Sequence, residues 1–327
     1  MPTLITGGAG FLGLNLSEAL LTRGDEVVVF DATDVLPEAA RRRFEALPGS
    51  LEARRGDVTD RAALEAVVRD HRVDRVIHAA AITPGPEREV RDARRIVEVN
   101  LMGTLAMIEV AVAHDVSRFV YPSSASVYGA NAFDHDELDE VRTPPVPNAF
   151  YAIGKYAAER AVARAAEIWG LPAVVARVGA AFGPWERDTG VRDTLSAPMR
   201  TLRAALRGEE VVLPRPGPRD WIYSRDVAAA LIALLDAPTL AHALYNVSAG
   251  RRWTVAQWCD RLAAAYPDFR YSIDPAPGAA TVEFGPRDRA PLRIERLTEL
   301  MQPSYGLEAA FDDYRAWVDG VDDFWMR

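Results

Sequence analysis

Residues 2–13, PTLITGGAGFLG, decide the fold. An apolar run of strand character, Pro2 to Thr6, passes straight into a glycine-rich turn and then into the apolar spacing of a helix, Phe11 to Arg23. In this context each glycine has a task. Gly7 takes the tight strand-to-helix turn, Gly10 lets the backbone approach a pyrophosphate, and Gly13 lets helix and strand pack closely. The first helical residues, Phe11 and Leu12, present N–H groups that lack intrahelical acceptors and suit a phosphate. The bland alternative, an ordinary tight turn, does not require this order of strand, turn and helix.

Working outward, apolar runs recur at Val27 to Asp31, Arg75 to Ala80, Phe119 to Ser123 and Ala173 to Val178. Between them lie stretches with helical spacing, Asp60 to Asp70, Glu89 to His114 and Ala149 to Trp169. Strands that read as continuous Val/Ile/Phe runs, alternating with helices, predict a parallel sheet covered on both faces. The fold class is α/β, a Rossmann-type doubly wound parallel sheet. After Gly183 the rhythm gives way to Pro-, Arg- and Gly-rich stretches such as FGPWERDTGVRD and LPRPGPRDW. These predict a smaller, less regular C-terminal substrate lobe. The expected division is residues 1–178 for the dinucleotide-binding domain and 179–327 mainly for the substrate lobe, the chain returning to the first domain around 219–248.

Composition narrows the function. The chain has 327 residues, 49% of them hydrophobic, enough for a substantial core. A net charge of −9 disfavours nucleic acid and anionic membrane as partners. The single cysteine, Cys259, excludes an intramolecular disulfide, and the five histidines never pair with it at metal-ligand spacing, so no metal is expected. The N-terminus carries no basic leader, and no apolar run approaches the roughly 18 residues of a membrane span. A cytoplasmic enzyme with a small-molecule substrate is the expectation.

Asp31 closes VVVFD, where a carboxylate accepts hydrogen bonds from an adenosine ribose, although a solvated strand-end acid would read the same way. Ala32 and Thr33 follow, with no adjacent cation for a 2′-phosphate, which favours NAD over NADP. Asp57, beside Val58, follows a third strand and is placed to meet adenine; capping of the next helix by Thr59 or Asp60 is an equal reading.

Tyr151 and Lys155 stand four residues apart in a helical stretch and so share one face. A lysine ammonium beside a tyrosine favours the phenolate, which can take a proton from a substrate hydroxyl. Such a pair also arises by chance. Ser124, in PSSASVYG after the run RFVY, adds a hydroxyl at the C-terminal end of a parallel strand, where open α/β sheets bind ligands. Local capping by Ser123 or Ser126 is the competing use of these serines.

In order and spacing, the glycine loop, the acid after the second strand, HAAA at 78–81, Asn100 in VNLMGT, SSASVYG and YAIGK resemble the extended short-chain dehydrogenase/reductases of the NAD-dependent epimerase/dehydratase family. The resemblance covers nearly the whole chain. It implies that Ser124, Tyr151 and Lys155 form the catalytic triad, that Ala79, Ala80 and Ala81 run along NAD, and that Asn100 supports the cofactor site from a buried helix. It implies a homodimer paired through the helices at 89–114 and 149–169. RDWIYSRDVA at 219–228 resembles the segment whose arginine, here Arg219, meets the diphosphate of nucleotide sugars. Two departures matter. Ala180 stands where relatives carry an asparagine that touches the sugar diphosphate, and Ala125 and Ser126 stand where dehydratases carry an Asp-Glu pair.

Residues 185–225 hold eight arginines against six acids, in an otherwise acidic chain. Arg187, Arg192 and Arg219, with Ser124, Ser126 and Ala180, are the candidate substrate contacts, and an anionic carbohydrate suits them. Solvated loop ion pairs are the competing reading for each arginine. The function expected is hydride transfer at a carbohydrate hydroxyl, as a nucleotide-sugar epimerase. The alternatives are a sugar-acid or polyol dehydrogenase that releases NADH and a nonenzymatic NAD-binding regulator.

Overall fold

The computed structural model describes residues 1–33 and 36–321. The chain opens β1 (Thr3–Thr6), α1 (Phe11–Arg23), β2 (Glu26–Asp31), α2 (Glu38–Glu45), β3 (Ser50–Arg55), α3 (Arg61–Asp70) and β4 (Arg75–His78). It continues through α4 (Pro86–Arg91), α5 (Ala93–Val97), a π-helical segment Glu98–Met102, α6 (Gly103–Ala113), β5 (Arg118–Ser124), a kinked 3-10 segment Ala125–Phe133, α7 (Phe150–Trp169) and β6 (Ala173–Val178). These elements build a seven-stranded sheet in the order β3-β2-β1-β4-β5-β6 plus one late strand, every pair parallel.

Register fixes where the site must lie. Thr6 sits opposite Phe30 and His78, and Ser124 opposite Val178. The segments after β1, β2, β4, β5 and β6 therefore leave from one edge, and the glycine turn, Asp31, the Ala79–Ala81 segment and Ser124 meet there. The sheet is covered on both faces, as continuous apolar strands require. Leu14, Leu16 and Leu20 of α1 pack on one face with Leu231 and Leu234 of a later helix. Leu64 and Val68 of α3, Met107 and Ile108 of α6, and Ala158 and Val162 of α7 pack on the other.

The C-terminal part of the chain comprises β7 (Ala180–Phe182), α8 (Ala197–Leu206), β8 (Glu210–Leu213), β9 (Pro218–Arg219) and β10 (Trp221–Tyr223), followed by α9 (Ser224–Asp236) and β11 (Leu244–Val247). It ends with β12 (Trp253–Thr254), α10 (Val255–Ala265), β13 (Arg270–Ile273), α11 (Glu295–Thr298) and α12 (Leu307–Asp319). α9 and β11 rejoin the first layer: β11 is the seventh strand, paired with β6, and α9 carries the Leu231 and Leu234 that pack with α1. Small two-stranded pairings, β10 with β7, β12 with β9 and β13 with β8, hold this part together. An aromatic cluster of Phe182, Trp221, Trp253 and Trp258 fills it.

Two sequence readings are corrected here. The helix expected at 89–114 is interrupted: Asp92 leaves helical geometry between α4 and α5, and residues 98–102 widen to π-helix before α6. By length and composition the run Ala93–Ala113, with mean hydropathy 1.7, does reach what a membrane span requires. Half of it is buried inside the protein, against the sheet, as a core helix.

Candidate active site

The glycine turn is set by close approach. Gly7 adopts φ +66°, and a Cβ there would fall 2.7 Å from the Ala80 Cα. A Cβ on Gly13 would lie 2.4 Å from the Gly7 carbonyl oxygen. Gly10 is the N-cap of α1 and offers no side-chain acceptor, so the first N–H groups of the helix are left to whatever lies in front of it. Asp31 anchors the turn: one carboxylate oxygen accepts from Ala9 N at 3.0 Å, the other from Thr33 N and Oγ1. Gly7, Gly10, Phe11, Leu12, Gly13, Asp31, Asp57, Val58 and Ala79–Ala81 all line one cavity of about 740 Å³.

Asp57 accepts from Thr59 N and Oγ1 and pairs with Arg95. Partial burial pushes its carboxyl up, but those three donors outweigh burial and hold it below its ordinary value. The cap of α3 is Asp60, accepting from Ala63 N. Asn100 does not line the cavity. Its amide clasps Ile82 through both N–H and C=O, fixing the segment that follows Ala79–Ala81.

Ser124, Tyr151 and Lys155 line the same cavity. The 3-10 segment after β5 puts Ser124 at its cap, accepting from Ser126 N at 3.1 Å, and Ser124 and Thr83 lie near enough to Tyr151 to act on its phenol. Ser123 is a support instead: its hydroxyl donates to Glu159 at 2.6 Å, and Glu159 is paired with Arg177 at 2.8 Å, both buried. Lys155 donates to the Pro122 carbonyl at 2.9 Å, with its ammonium 4.8 Å from the Tyr121 ring centre. Burial lowers the Lys155 ammonium to about 8, and Glu159 one turn along restrains the fall. Burial raises the Tyr151 phenol, and Ser124, the Arg192 charge and Thr83 oppose that rise. Beneath them His78 bridges Thr6 and Thr104 and is held neutral, at about 3, by burial and by the Lys155 charge.

The three candidate arginines part company. Arg219 lines the cavity, its guanidinium 5.4 Å from the Trp221 ring centre. Burial first, then the charges of Arg289 and Arg215, lower it to about 10. Asp226, seven residues on, is taken by Ser304 and Tyr305 and does not pair with Arg219. Arg192 lines the cavity beside Phe11. Arg187 does not; its guanidinium donates to the Ala9 carbonyl behind the glycine turn, with Asp31 near enough to feel its charge. Ser126 and Ala180 both line the cavity.

Thr83, Glu186 and Arg289 belong to this site and were not legible in the sequence. Thr83 pairs with Arg192 as an isolated β-bridge, a long-range contact that no local pattern announces. Among the described residues no group of His, Cys, Asp or Glu side chains gathers to hold a metal.

A family model, the NAD dependent epimerase/dehydratase family, matches residues 3–248. The dTDP-L-rhamnose 4-epimerase of Burkholderia thailandensis is 28% identical, across 96% of this chain and 94% of that protein. The UDP-glucose 4-epimerase of Thermotoga maritima, solved with UDP-glucose, shares the fold with a TM-score of 0.81 at 24% identity, covering 98% of this chain and 99% of that one. The UDP-glucose 4-epimerase of Thermus thermophilus, solved with NAD, has a TM-score of 0.76 at 26% identity, covering 96% and 99%. The cofactor is NAD, and the glycine turn, the bare N-terminus of α1 and Asp31 are the groups that fit it.

Proposed function

The chain belongs to the NAD dependent epimerase/dehydratase family, and from that premise we propose that it is a nucleotide-sugar epimerase inverting one hydroxyl-bearing carbon. The observation that carries this reading is the shared cavity: Ser124, Tyr151 and Lys155 open into the same space as Arg219 and Arg289. Proton-transfer groups and an anion site are then available to a single substrate.

Bound NAD supplies hydride uptake and return. The chain's own residues handle the proton and the oxygen. Tyr151 takes the hydroxyl proton at its phenolic oxygen and later gives it back. Ser124 steadies the substrate oxygen by hydrogen bonding. The Arg192 charge favours the Tyr151 phenolate, and Lys155, held on the Pro122 carbonyl, stands one turn along the same helix. Ala125 and Ser126 leave the positions used for water elimination without an acid or base, which supports epimerisation over dehydration. The test is proton NMR of UDP-glucose or UDP-galactose incubated with the enzyme. Inversion without net NADH supports the reading; accumulation of NADH with a keto product identifies a dehydrogenase.

We also propose that the protein is a cytoplasmic homodimer. Exposed Met102 beside α6, and Phe150 and Ile153 on α7, support pairing through these helices. Light scattering at micromolar concentration tests it, and a monomer there removes the idea.

A further inference from the structure

Residues 184–187 turn back on α1 through a strained backbone. Trp185 adopts φ +68°, left-handed geometry that a bulky side chain rarely takes and that persists only where the surroundings enforce it. Here they do. The fully buried Trp185 ring packs edge-on with Phe44 and Trp317, and its indole N–H donates to Glu18 of α1 at 2.7 Å. On one side of it the Pro184 carbonyl accepts from Asn15 of α1 at 2.8 Å. On the other, buried Glu186 accepts from Arg192, from Ser196 N and from Ser196 Oγ. Arg187 is thereby delivered to the far side of the glycine turn, where Nη2 donates to the Ala9 carbonyl at 3.2 Å.

That carbonyl matters because of the turn it belongs to. Residues 7–10 are Gly-Gly-Ala-Gly. Glycine gives up more backbone freedom on ordering than any other residue, so this turn depends on braces from outside it. Two charged side chains brace it at a single residue: Asp31 accepts from Ala9 N at 3.0 Å, and Arg187 donates to Ala9 O. The Ala9 carbonyl shares its peptide unit with the Gly10 N–H, which donates to the Gly7 carbonyl at 3.0 Å. A cation on the carbonyl polarises that peptide and strengthens the bond that closes the turn. Gly7 N is held in its turn by the Phe30 carbonyl at 2.8 Å. The head of α1 is thus set at the cavity, which Phe11 and Leu12 line. Burial lowers the Arg187 guanidinium and the Asp31 charge opposes the fall. A guanidinium stays charged at neutral pH, and its sign is that of the helix N-terminus in front of it.

We propose that Arg187 is a positioning residue for the cofactor: through the Ala9 peptide it holds the glycine turn in the shape that receives the NAD pyrophosphate, and it adds positive charge behind that turn. Its action is exerted from outside the cavity, on the anionic middle of the cofactor and not on its adenosine end.

Calorimetry on the full chain freed of cofactor tests this with three probes: NAD, ADP-ribose, which keeps the pyrophosphate, and adenosine, which lacks it and is read by competition with NAD. Arg187→Met keeps the apolar stem and removes the guanidinium. It should weaken NAD and ADP-ribose alike, by about 10-fold, the lower end for a charge-assisted contact, and leave adenosine unchanged. Arg187→Lys should restore part of the loss, since it keeps the charge but not the planar fork. An arginine that only stabilises the fold gives another pattern, in which all three probes weaken together as the melting temperature drops, and that result overturns the proposal. Unchanged NAD affinity in Arg187→Met overturns it too, as does a loss for NAD that ADP-ribose does not share. If Arg187→Met fails to fold, Arg187→Lys decides: a weakening of NAD and ADP-ribose with adenosine unchanged supports the proposal, and any other pattern overturns it.

Discussion

Arg219→Met should weaken binding of UDP while leaving the fold as stable as before, or more so. The guanidinium is held in the cavity with two like charges, Arg289 and Arg215, and only Asp288 in opposition. Its fall from 12.5 to about 10 means that keeping the charge there costs the ligand-free protein roughly 3 kcal/mol. Its favourable contact, the Trp221 ring, returns about 1 kcal/mol. Methionine keeps the apolar stem and removes the charge. The melting temperature should therefore hold or rise, by about 2 °C for each kcal/mol in a chain of this size. The dissociation constant for UDP, a ligand without the sugar, should rise about 10- to 150-fold, the loss of one charge-assisted contact. Calorimetry and a thermal melt on the NAD-loaded protein measure the two quantities. A melting temperature several degrees lower, with UDP affinity unchanged, would refute the reasoning and make Arg219 a structural residue.

Tyr151→Phe should lower turnover by about 100-fold or more with NAD affinity nearly intact, since it removes one transferable proton and little surface; a variant keeping a tenth of wild-type activity contradicts the role. Gly13→Ala should abolish NAD binding, because its methyl would sit 2.4 Å from the Gly7 carbonyl and force the turn open; NAD titration by tryptophan fluorescence reads this. Stability should fall as pH drops below about 6.5 toward 3, because unfolded His78 gains a proton that the folded site, held at about 3, refuses. At pH 5 the loss from this one group is about 2 kcal/mol, and urea melts of His78→Asn should show a flatter pH profile across that window.

The N-terminal half was legible because parallel strands buried on both faces must be continuous apolar runs. Val27–Phe30 shows that pattern plainly, and Ala173–Ala176 shows it up to the buried Arg177. Ser50–Arg55 does not: as an edge strand it carries Glu52, Arg54 and Arg55, and only its position after α2 announces it. The break at Asp92 and the π-helical turn at 98–102 were hidden because helical spacing survives both. After β6 the sequence supplied residue types without neighbours. Arg187 and Arg192 look alike in the string WERDTGVRD, yet one braces the glycine turn and the other enters the cavity. The difference is made by Trp185, Glu186 and Thr83, contacts that depend on tertiary closure and leave no period in the chain.

The proposed epimerase inverts a carbon of a nucleotide sugar with Tyr151 as the proton carrier and NAD regenerated in place. The most direct measurement is a single proton NMR time course on a panel of UDP- and dTDP-linked hexoses and uronates, with NADH absorbance followed in the same tube. The expected result is conversion of one panel member to its epimer at constant NADH, and no conversion by Tyr151→Phe. NADH growing in step with substrate loss, or conversion unaffected by Tyr151→Phe, would contradict it.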